Sequence, residues 1–190
     1  MQGLDLKHVI DKAIAGDQAA FATIVDRHEG FVYSLSLRFL ASRADAEDAT
    51  QEVFIRLWKN LSRYRPDVKL STWLYKITTN VCLDVLRSRK RRSEHRSHSI
   101  DPDEPYTHPS GADDQVLGEE LKMILFEITE KLTPKQKAVF ILRDLEGLEV
   151  DEVCNVLSLS AGNVKSNLYY ARQKVGELVT KYYAESKGNP

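Results

Sequence analysis

Hydrogen-bonding side chains are concentrated in residues 160–175, SAGNVKSNLYYARQKV. Val164, Leu168, Ala171 and Val175 recur at spacings of three, four and seven residues, which predicts one apolar stripe along a helix. The opposite side is nearly free of acid and carries amides, hydroxyls and phenols. Residues 158–160 form a short turn after an amphipathic segment that ends at Leu157. This order is typical of a helix-turn-helix, whose second helix lies in the DNA major groove.

A second set of candidate residues combines aromatic and basic side chains in the helix predicted for residues 72–91. Trp73 and Tyr75 stand at its start, and residues 87–96 form a dense basic run. Rings stack on bases and cations pair with phosphates, so this composition suits single-stranded nucleic acid. An alternative interpretation is that the two aromatic rings are buried in the core. The basic residues would then form a solvated helix end, where cations interact favourably with the helix dipole. The outer face is predicted to carry Lys76, Thr79, Asn80, Leu83, Arg87 and Lys90.

The helix predicted for residues 44–61 has an unusual polar face. Its other face is predicted to be buried through Ala46, Ala49, Val53, Leu57 and Leu61. The polar face carries Asp48, Gln51, Glu52 and Lys59, with Ile55 among them. An exposed isoleucine is either ordinary surface scatter or the centre of a protein contact. Arg56 lies four residues after Glu52, so part of this face also fits an ion-paired, solvated surface.

The remaining periodicity is helical and predicts an all-α fold of two small helical domains joined by a flexible linker. Helices are expected over residues 4–15 and 18–40. Pro66 disfavours helix at the preceding residue, and Ser71 is the predicted N-cap of the next helix. Residues 93–115 are rich in Pro, Ser, His and Asp, a composition that cannot bury enough apolar surface to order itself. The predicted domains are therefore 1–92 and 116–190, with a linker at 93–115. In the second domain, Thr133 and Pro134 predict a helix start.

Composition excludes several classes of protein. The net charge of the 190 residues is −1, so any nucleic-acid footprint must be local. Cys82 and Cys154 are far apart and predict reduced thiols in a cytoplasmic protein. No nucleophile–base pair, phosphate loop or metal-ligand spacing is apparent, which indicates no enzyme, no metal and no cofactor. The N-terminus lacks a long apolar run, so neither a signal peptide nor membrane insertion is expected.

Five motifs together resemble those of an extracytoplasmic-function (ECF, group IV) sigma factor of the sigma-70 family. They are, in chain order, GDQAAF, DAEDATQEVFIRLW, STWLYKITTN, LTPKQKAVFILRDLEGLEVDEV and SAGNVKSNLYYAR. The resemblance covers nearly the whole chain in order. It implies a region 2-like helical bundle and a region 4-like helix-turn-helix domain. It also implies a factor that binds core RNA polymerase and directs promoter-specific initiation by recognising −35 and −10 elements and melting the −10 region.

The resemblance assigns roles to residues that match the family motifs. The implied contacts with core polymerase, through its β′ clamp helices, are Asp48, Gln51, Glu52 and Ile55. The implied −10 contacts are Asn60, Tyr64, Arg65, Trp73, Lys76, Asn80, Leu83, Arg87 and Arg91. The implied −35 contacts are Asn163, Lys165, Ser166, Asn167, Tyr169, Tyr170 and Arg172, with Lys165 and Arg172 on phosphate. The implied partners are bacterial core RNA polymerase, including its β subunit, promoter DNA and an anti-sigma factor.

Some positions depart from the family pattern, and an alternative function stays open at this point. Many family members have arginine where this chain has Asn167 and Tyr170, which implies an unusual −35 element. Ser158 occupies a turn position where glycine is frequent, so some backbone strain is expected. Cys154 replaces a small residue at the helix crossing and is expected to pack in the core. The alternative is an autonomous helix-turn-helix regulator, a dimer on a two-fold operator, which leaves the segment around Trp73 unexplained.

Overall fold

The computed structural model describes residues 2–64, 69–96 and 127–186, and every regular element in these ranges is helical. The all-α prediction, with two helical domains, is therefore confirmed. The chain divides into two compact units, Met1–Ser88 and Arg89–Pro190, and the division falls inside one long helix. None of the helices in the described ranges is long and apolar enough to cross a membrane.

In the residues that the structure describes, the first unit contains four α-helices and one 3₁₀ turn. These elements are α1 (Gln2–Ile14), α2 (Gln18–Leu40), α3 (Arg43–Asn60), the 3₁₀ turn (Leu61–Arg63) and α4 (Leu70–Arg96). Asp17 caps α2, because its carboxylate accepts hydrogen bonds from the backbone N–H groups of Ala19 and Ala20 at 2.9 and 3.1 Å. The helix predicted for residues 72–91 corresponds to α4. Its predicted end was too early, since α4 extends beyond Arg91 to Arg96.

The core of the first unit lies along α2, which packs against both α1 and α3. Ile24, Val32, Leu35 and Phe39 of α2 have no exposed surface. All five apolar positions predicted to be buried along residues 44–61 are at most 2 % exposed. The amphipathic prediction for α3 is confirmed, and it leaves the face around Ile55 turned away from the core.

Two predictions for α4 are wrong. Ser71 does not cap the helix, because α4 begins at Leu70, and the N–H groups of Thr72 and Trp73 bond to the carbonyl of Lys69. The buried side chain of Leu70 holds the first turn against the core. Thr79 does not lie on the outer face but is completely buried. The reason is that Tyr75, one turn earlier, packs edge-on against Phe31 of α2 at 4.7 Å, so α2 covers this side of α4.

The second unit is a compact helix-turn-helix arrangement. Its described part contains a helical segment at 127–130, α5 (Pro134–Phe140) continuing into a π-turn (Ile141–Leu145), α6 (Val150–Leu157) and α7 (Ala161–Ser186). Both α5 and α6 pack against α7. Its core includes Leu132, Phe140 and Ala171, with Leu145 and Val175 packed against them. The predicted core positions Leu117, Leu121, Ile124 and Leu125, and the predicted linker from residue 97 onward, lie outside the described residues.

Caps and turns fix the lengths of these helices. Thr133 forms the predicted N-cap of α5 within a capping box, in which Thr133 and Gln136 bond to each other's backbone N–H. Gly147 has a φ of +72° in the turn before α6, a conformation that glycine adopts without strain. Ser158 ends α6 with a φ of +54°, so the strained turn position expected from the sequence is confirmed.

Candidate protein and nucleic-acid interfaces

The α3 face consists of Asp48, Gln51, Glu52 and Ile55, and the structure brings these four residues to the same side of one helix. Asp48 and Gln51 are exposed, and Glu52 is half-buried. Ile55 is 47 % exposed. A large aliphatic side chain that is half-exposed beside carboxylates is available to a partner with an apolar ridge and flanking cations.

Ile55 does not stand alone, because it lines an open apolar groove between α2 and α3. Gln18, Phe21, Phe54 and Trp58 complete this groove, which encloses about 360 Å³. The rings of Phe21 and Trp58 meet edge to face with centroids 4.7 Å apart. Trp58 is 39 % exposed. Sequence reasoning missed Trp58, although its spacing of three residues from Ile55 places both side chains on one side of α3.

An ion-pair network links the α3 face to α4. Arg56 Nε donates to Glu52 Oε1 at 2.6 Å, and Arg56 Nη1 contacts Asp84 Oδ2 at 3.4 Å. Arg87 pairs with the other oxygen of Asp84 at 3.1 Å. The hydrogen bond to Glu52 and then that to Asp84 raise the pKa of Arg56, against the opposing effect of partial burial. The predicted ion pair on this face is present, and it coexists with the apolar groove.

The candidate −10 surface begins with an aromatic pair at the start of α4. Tyr64 and Trp73 lie on either side of the gap in the described residues, and their ring centroids are 5.5 Å apart at 33°. Both rings are half-buried, so each keeps an accessible surface. Asn60 is nearby in sequence, but its amide is already bonded to the carbonyl of Arg56 at 2.9 Å. Arg65 lies outside the described residues.

The rest of this surface continues along a single face of α4. Successive positions are spaced three or four residues apart and therefore lie above one another. The residues on this face are Lys76, Asn80, Leu83, Arg87 and Arg91. Leu83 is half-buried, and the other four are exposed. A row of cations and an amide leading away from two accessible rings can bind a phosphate backbone whose bases stack on the rings.

The second interface is the outer face of α7. Ser160 starts the helix, since its Oγ accepts from the N–H of Asn163 at 3.3 Å and its carbonyl accepts from Val164 at 3.0 Å. Val164, Leu168 and Ala171 are buried as predicted. The positioning of α7 thus depends on the left-handed residue Ser158 and on this apolar stripe.

The predicted −35 residues fall into three groups. Tyr169 and Tyr170 are 66 % and 57 % exposed, with ring centroids 5.4 Å apart. Asn163, Lys165 and Ser166 are exposed, whereas Asn167 is half-buried and donates its side-chain amide to the carbonyl of Asn163 at 2.8 Å. Arg172 differs from the others, because both its Nε and Nη2 bond to the carboxylate of Asp144, at 2.8 and 2.6 Å.

The described residues contain no cluster of His, Cys, Asp and Glu that could hold a metal ion. Neither cysteine forms a disulfide: the Cys82 thiol is buried, whereas Cys154, which was expected to pack in the core, is only partly buried.

Comparison with known proteins identifies both units. Residues 24–92 match the model of Sigma-70 region 2, and residues 122–175 match that of Sigma-70, region 4. The ECF RNA polymerase sigma factor SigE of Mycolicibacterium smegmatis is 34 % identical over 177 residues, 90 % of this chain and 67 % of that protein. The ECF RNA polymerase sigma-E factor of Escherichia coli is 31 % identical over 179 residues, 90 % of this chain and 92 % of that protein.

Two solved structures share the fold. CnrH, solved in complex with the cytosolic domain of CnrY, aligns with a TM-score of 0.65 at 22 % identity, covering 91 % of this chain and 96 % of CnrH. The sigma factor RpoE of Bartonella quintana, solved with the anti-sigma factor NepR, aligns with a TM-score of 0.65 at 20 % identity, covering 84 % and 96 %. The order of the two matched regions and the identity to full-length relatives show that the chain belongs to the ECF sigma factors of the sigma-70 family, proteins that direct promoter-specific transcription initiation.

Proposed function

We propose that this sigma factor belongs to group IV and that it acts through two domains, the first ending with α4 at Arg96 and the second spanning 116–190, joined by a linker. The first domain docks on core polymerase, at the β′ clamp helices, and opens the −10 element, while the linker runs through the active-site cleft and RNA exit channel of the polymerase. The second domain binds the −35 element as duplex. The factor acts in the cytoplasm, where transcription takes place, and contributes no catalytic activity of its own.

The docking proposal is supported by the α3 face and its groove. Asp48, Gln51 and Glu52 border an apolar surface centred on Ile55. The core of a protein interface is typically apolar and aromatic with a polar rim, and Ile55 with Trp58 fits that description. A helix with an apolar ridge and flanking basic residues is the complementary partner.

The −10 proposal is supported by the pairing of Tyr64 with Trp73 at the end of a basic face. Extruding a base from the duplex loses its stacking, so a melting surface must offer a substitute. Accessible rings provide it, and the exposed cations along α4 hold the backbone of the displaced strand. Asn80 supplies an exposed amide on this face, whereas the side-chain amide nitrogen of Asn60 is engaged with the carbonyl of Arg56.

The −35 proposal is supported by the outer face of α7. Asn163, Lys165, Ser166, Asn167, Tyr169 and Tyr170 provide amide, hydroxyl, phenol and ammonium groups over the first turns of a helix that follows a short turn. Residues in the N-terminal part of a recognition helix contact base edges in the major groove. The tyrosine pair offers apolar ring surface to thymine methyl groups.

An anti-sigma partner is part of the proposal. CnrH and RpoE were each solved with a second protein, which for RpoE is the anti-sigma factor NepR. A partner that covers the exposed groove and the outer face of α7 holds this chain inactive.

One observation carries the proposal: a region 2 match and a region 4 match occur in that order in one chain, and each has an exposed contact face. The test is in vitro transcription. The purified chain is added to bacterial core polymerase free of other sigma factors, with genomic fragments as template, and the RNA 5′ ends are sequenced. We expect starts that depend on the chain and share paired upstream elements. The proposal would be contradicted by transcription start sites no different from those of core polymerase alone, together with an isolated chain that binds a two-fold operator as a dimer.

A further inference from the structure

Asp144 and Arg172 form an ion pair with two hydrogen bonds in the described part of the second unit. Nε of Arg172 donates to one carboxylate oxygen of Asp144 at 2.8 Å, and Nη2 donates to the other at 2.6 Å. This side-on, two-bond geometry is the strong form of an arginine–carboxylate contact. Asp144 lies in the π-turn and Arg172 in the fourth turn of α7, so the pair is a tertiary link between two elements. The hydrogen bond to Asp144 raises the pKa of Arg172 above its ordinary value.

The pair lies beside the proposed DNA-binding face. Arg172 follows Lys165 by seven residues, so the two cations are on the same flank of α7. Both line an open groove with Leu168, Tyr169 and Gln173. In the described part of the chain Lys165 makes no ion pair, whereas Arg172 is neutralised by Asp144. Of the two cations lining this groove, one is available to a phosphate and the other is engaged.

We propose that Asp144 is a positioning residue that holds Arg172 as a fixed, neutral pair, so that Arg172 makes no phosphate contact and Lys165 supplies the cationic contact on this flank. The inference rests on the proposed binding of α7 to the −35 element. It differs from the phosphate contact that the family resemblance implies for Arg172. Asp144 is only 20 % exposed at its side chain, so the carboxylate is fixed while the guanidinium lies at the surface.

The consequence of this arrangement is a weaker sequence-independent attraction to DNA. A free guanidinium beside the groove attracts any phosphate backbone and raises the affinity for every duplex alike. It also forms bidentate bonds to guanine, the commonest specific contact of arginine. With Arg172 engaged, the amides, hydroxyl and tyrosine rings of α7 supply the base contacts. Asp144 therefore lowers non-specific binding and keeps the recognition of base edges with uncharged groups.

The test compares Asp144→Asn, Arg172→Gln and the double variant in the full chain reconstituted with core polymerase. Binding to a promoter fragment and to an unrelated duplex is measured between about 50 and 200 mM salt, the range over which counterion release is evident. Asp144→Asn frees one cation, so the logarithmic salt slope should steepen by about one unit on both duplexes. Over this fourfold range of salt, a slope change of about 0.9 per cation alters the ratio of the affinities at the two ends of the range by about 3.5-fold.

The double variant decides between the two roles of Arg172. If the pair is neutral and engaged, Asp144→Asn with Arg172→Gln keeps the wild-type slope. If Arg172 contacts phosphate in the wild type, the double variant loses about one unit of slope and the inference is wrong. An unchanged slope in Asp144→Asn overturns it as well. A purely structural role of the pair would shift the unfolding temperature of the variants without changing the slope. If Asp144→Asn does not fold, the exchanged pair Asp144→Arg with Arg172→Asp retains the link and should show the wild-type slope; a changed slope overturns the inference.

Lys165→Ala separates failure of this inference from failure of the proposed function. Lys165 is assigned to a phosphate, so its removal should reduce the slope by about one unit. If Lys165→Ala loses that unit while Asp144→Asn changes nothing, only the role of Asp144 is wrong. If neither variant changes the slope, α7 does not contact the −35 duplex, and the proposed function of the second domain is wrong too.

Discussion

Ile55→Asp should abolish binding to core polymerase while leaving the fold intact. The exposed position of Ile55 means that the folded chain does not depend on burying this side chain. Substitutions at such surface positions usually change the free energy of unfolding by about 0.5 kcal/mol or less. The new carboxylate would, however, face the apolar groove formed with Phe21, Phe54 and Trp58 once a partner covers it.

The magnitude follows from the exposure of Ile55. Burying a whole isoleucine side chain contributes about 1.5–3 kcal/mol. Docking covers the 47 % that is exposed, so Ile55→Ala should cost about 1 kcal/mol, or about fivefold in Kd. An uncompensated buried carboxylate costs about 3–5 kcal/mol, so Ile55→Asp should weaken binding by at least about 100-fold.

The assay is equilibrium binding of the labelled chain to core polymerase, accompanied by thermal unfolding of each variant. Ile55→Leu is the matched control, since it keeps an aliphatic side chain of the same size and should remain within about threefold of the wild type. If Ile55→Asp unfolds normally and binds within threefold of the wild type, the α3 face is not the docking surface.

Three further predictions test the other elements. Trp73→Ala should reduce permanganate reactivity of −10 thymines about 5- to 150-fold, because one base stacked on an aromatic ring is worth about 1–3 kcal/mol; full melting would contradict the role of Trp73. Thr133→Ala should lower the free energy of unfolding by about 1 kcal/mol through loss of the α5 cap, and an equal loss in Lys135→Ala on the same turn would show that the cap is not the cause. Gly147→Ala should cost about 1–2 kcal/mol from its φ of +72° alone, because no atom lies within 4 Å of the added carbon. The helical Gly162 is equally uncrowded, and Gly162→Ala should stabilise by up to about 1 kcal/mol, so a destabilising effect there would refute the backbone explanation.

Periodicity predicted the helices and the buried stripe of α3 because burial on one side of a helix follows directly from the spacing of apolar residues. The cap at Thr133 was equally predictable, since its partners are only three residues away. Thr79 and Ser71 were not predictable. Their environments are set by contacts from elsewhere in the chain, the packing of Phe31 on Tyr75 and the burial of Leu70. Local polarity carries no information about such contacts.

Some residues of the candidate sites were likewise predictable from the sequence, and others were not. Sequence indicated Ile55, Tyr169 and Tyr170 as surface residues because they interrupt polar faces, and the structure shows all three exposed. The pairing of Arg172 with Asp144 could not be predicted from the sequence, since the two residues are 28 positions apart and lie on different elements. The groove beside Ile55 likewise required α2 to bring Phe21 against Trp58.

The most direct test of the account is to locate both domains on one promoter. A photo-reactive amino acid is placed at Trp73 in one variant and at Tyr170 in another, and each holoenzyme is cross-linked to the same open promoter. The account predicts that position 73 cross-links to the non-template strand of the melted element, and that position 170 cross-links only to duplex farther upstream. Cross-links from both positions to a single short duplex site, or none from position 73 to single-stranded DNA, would contradict it.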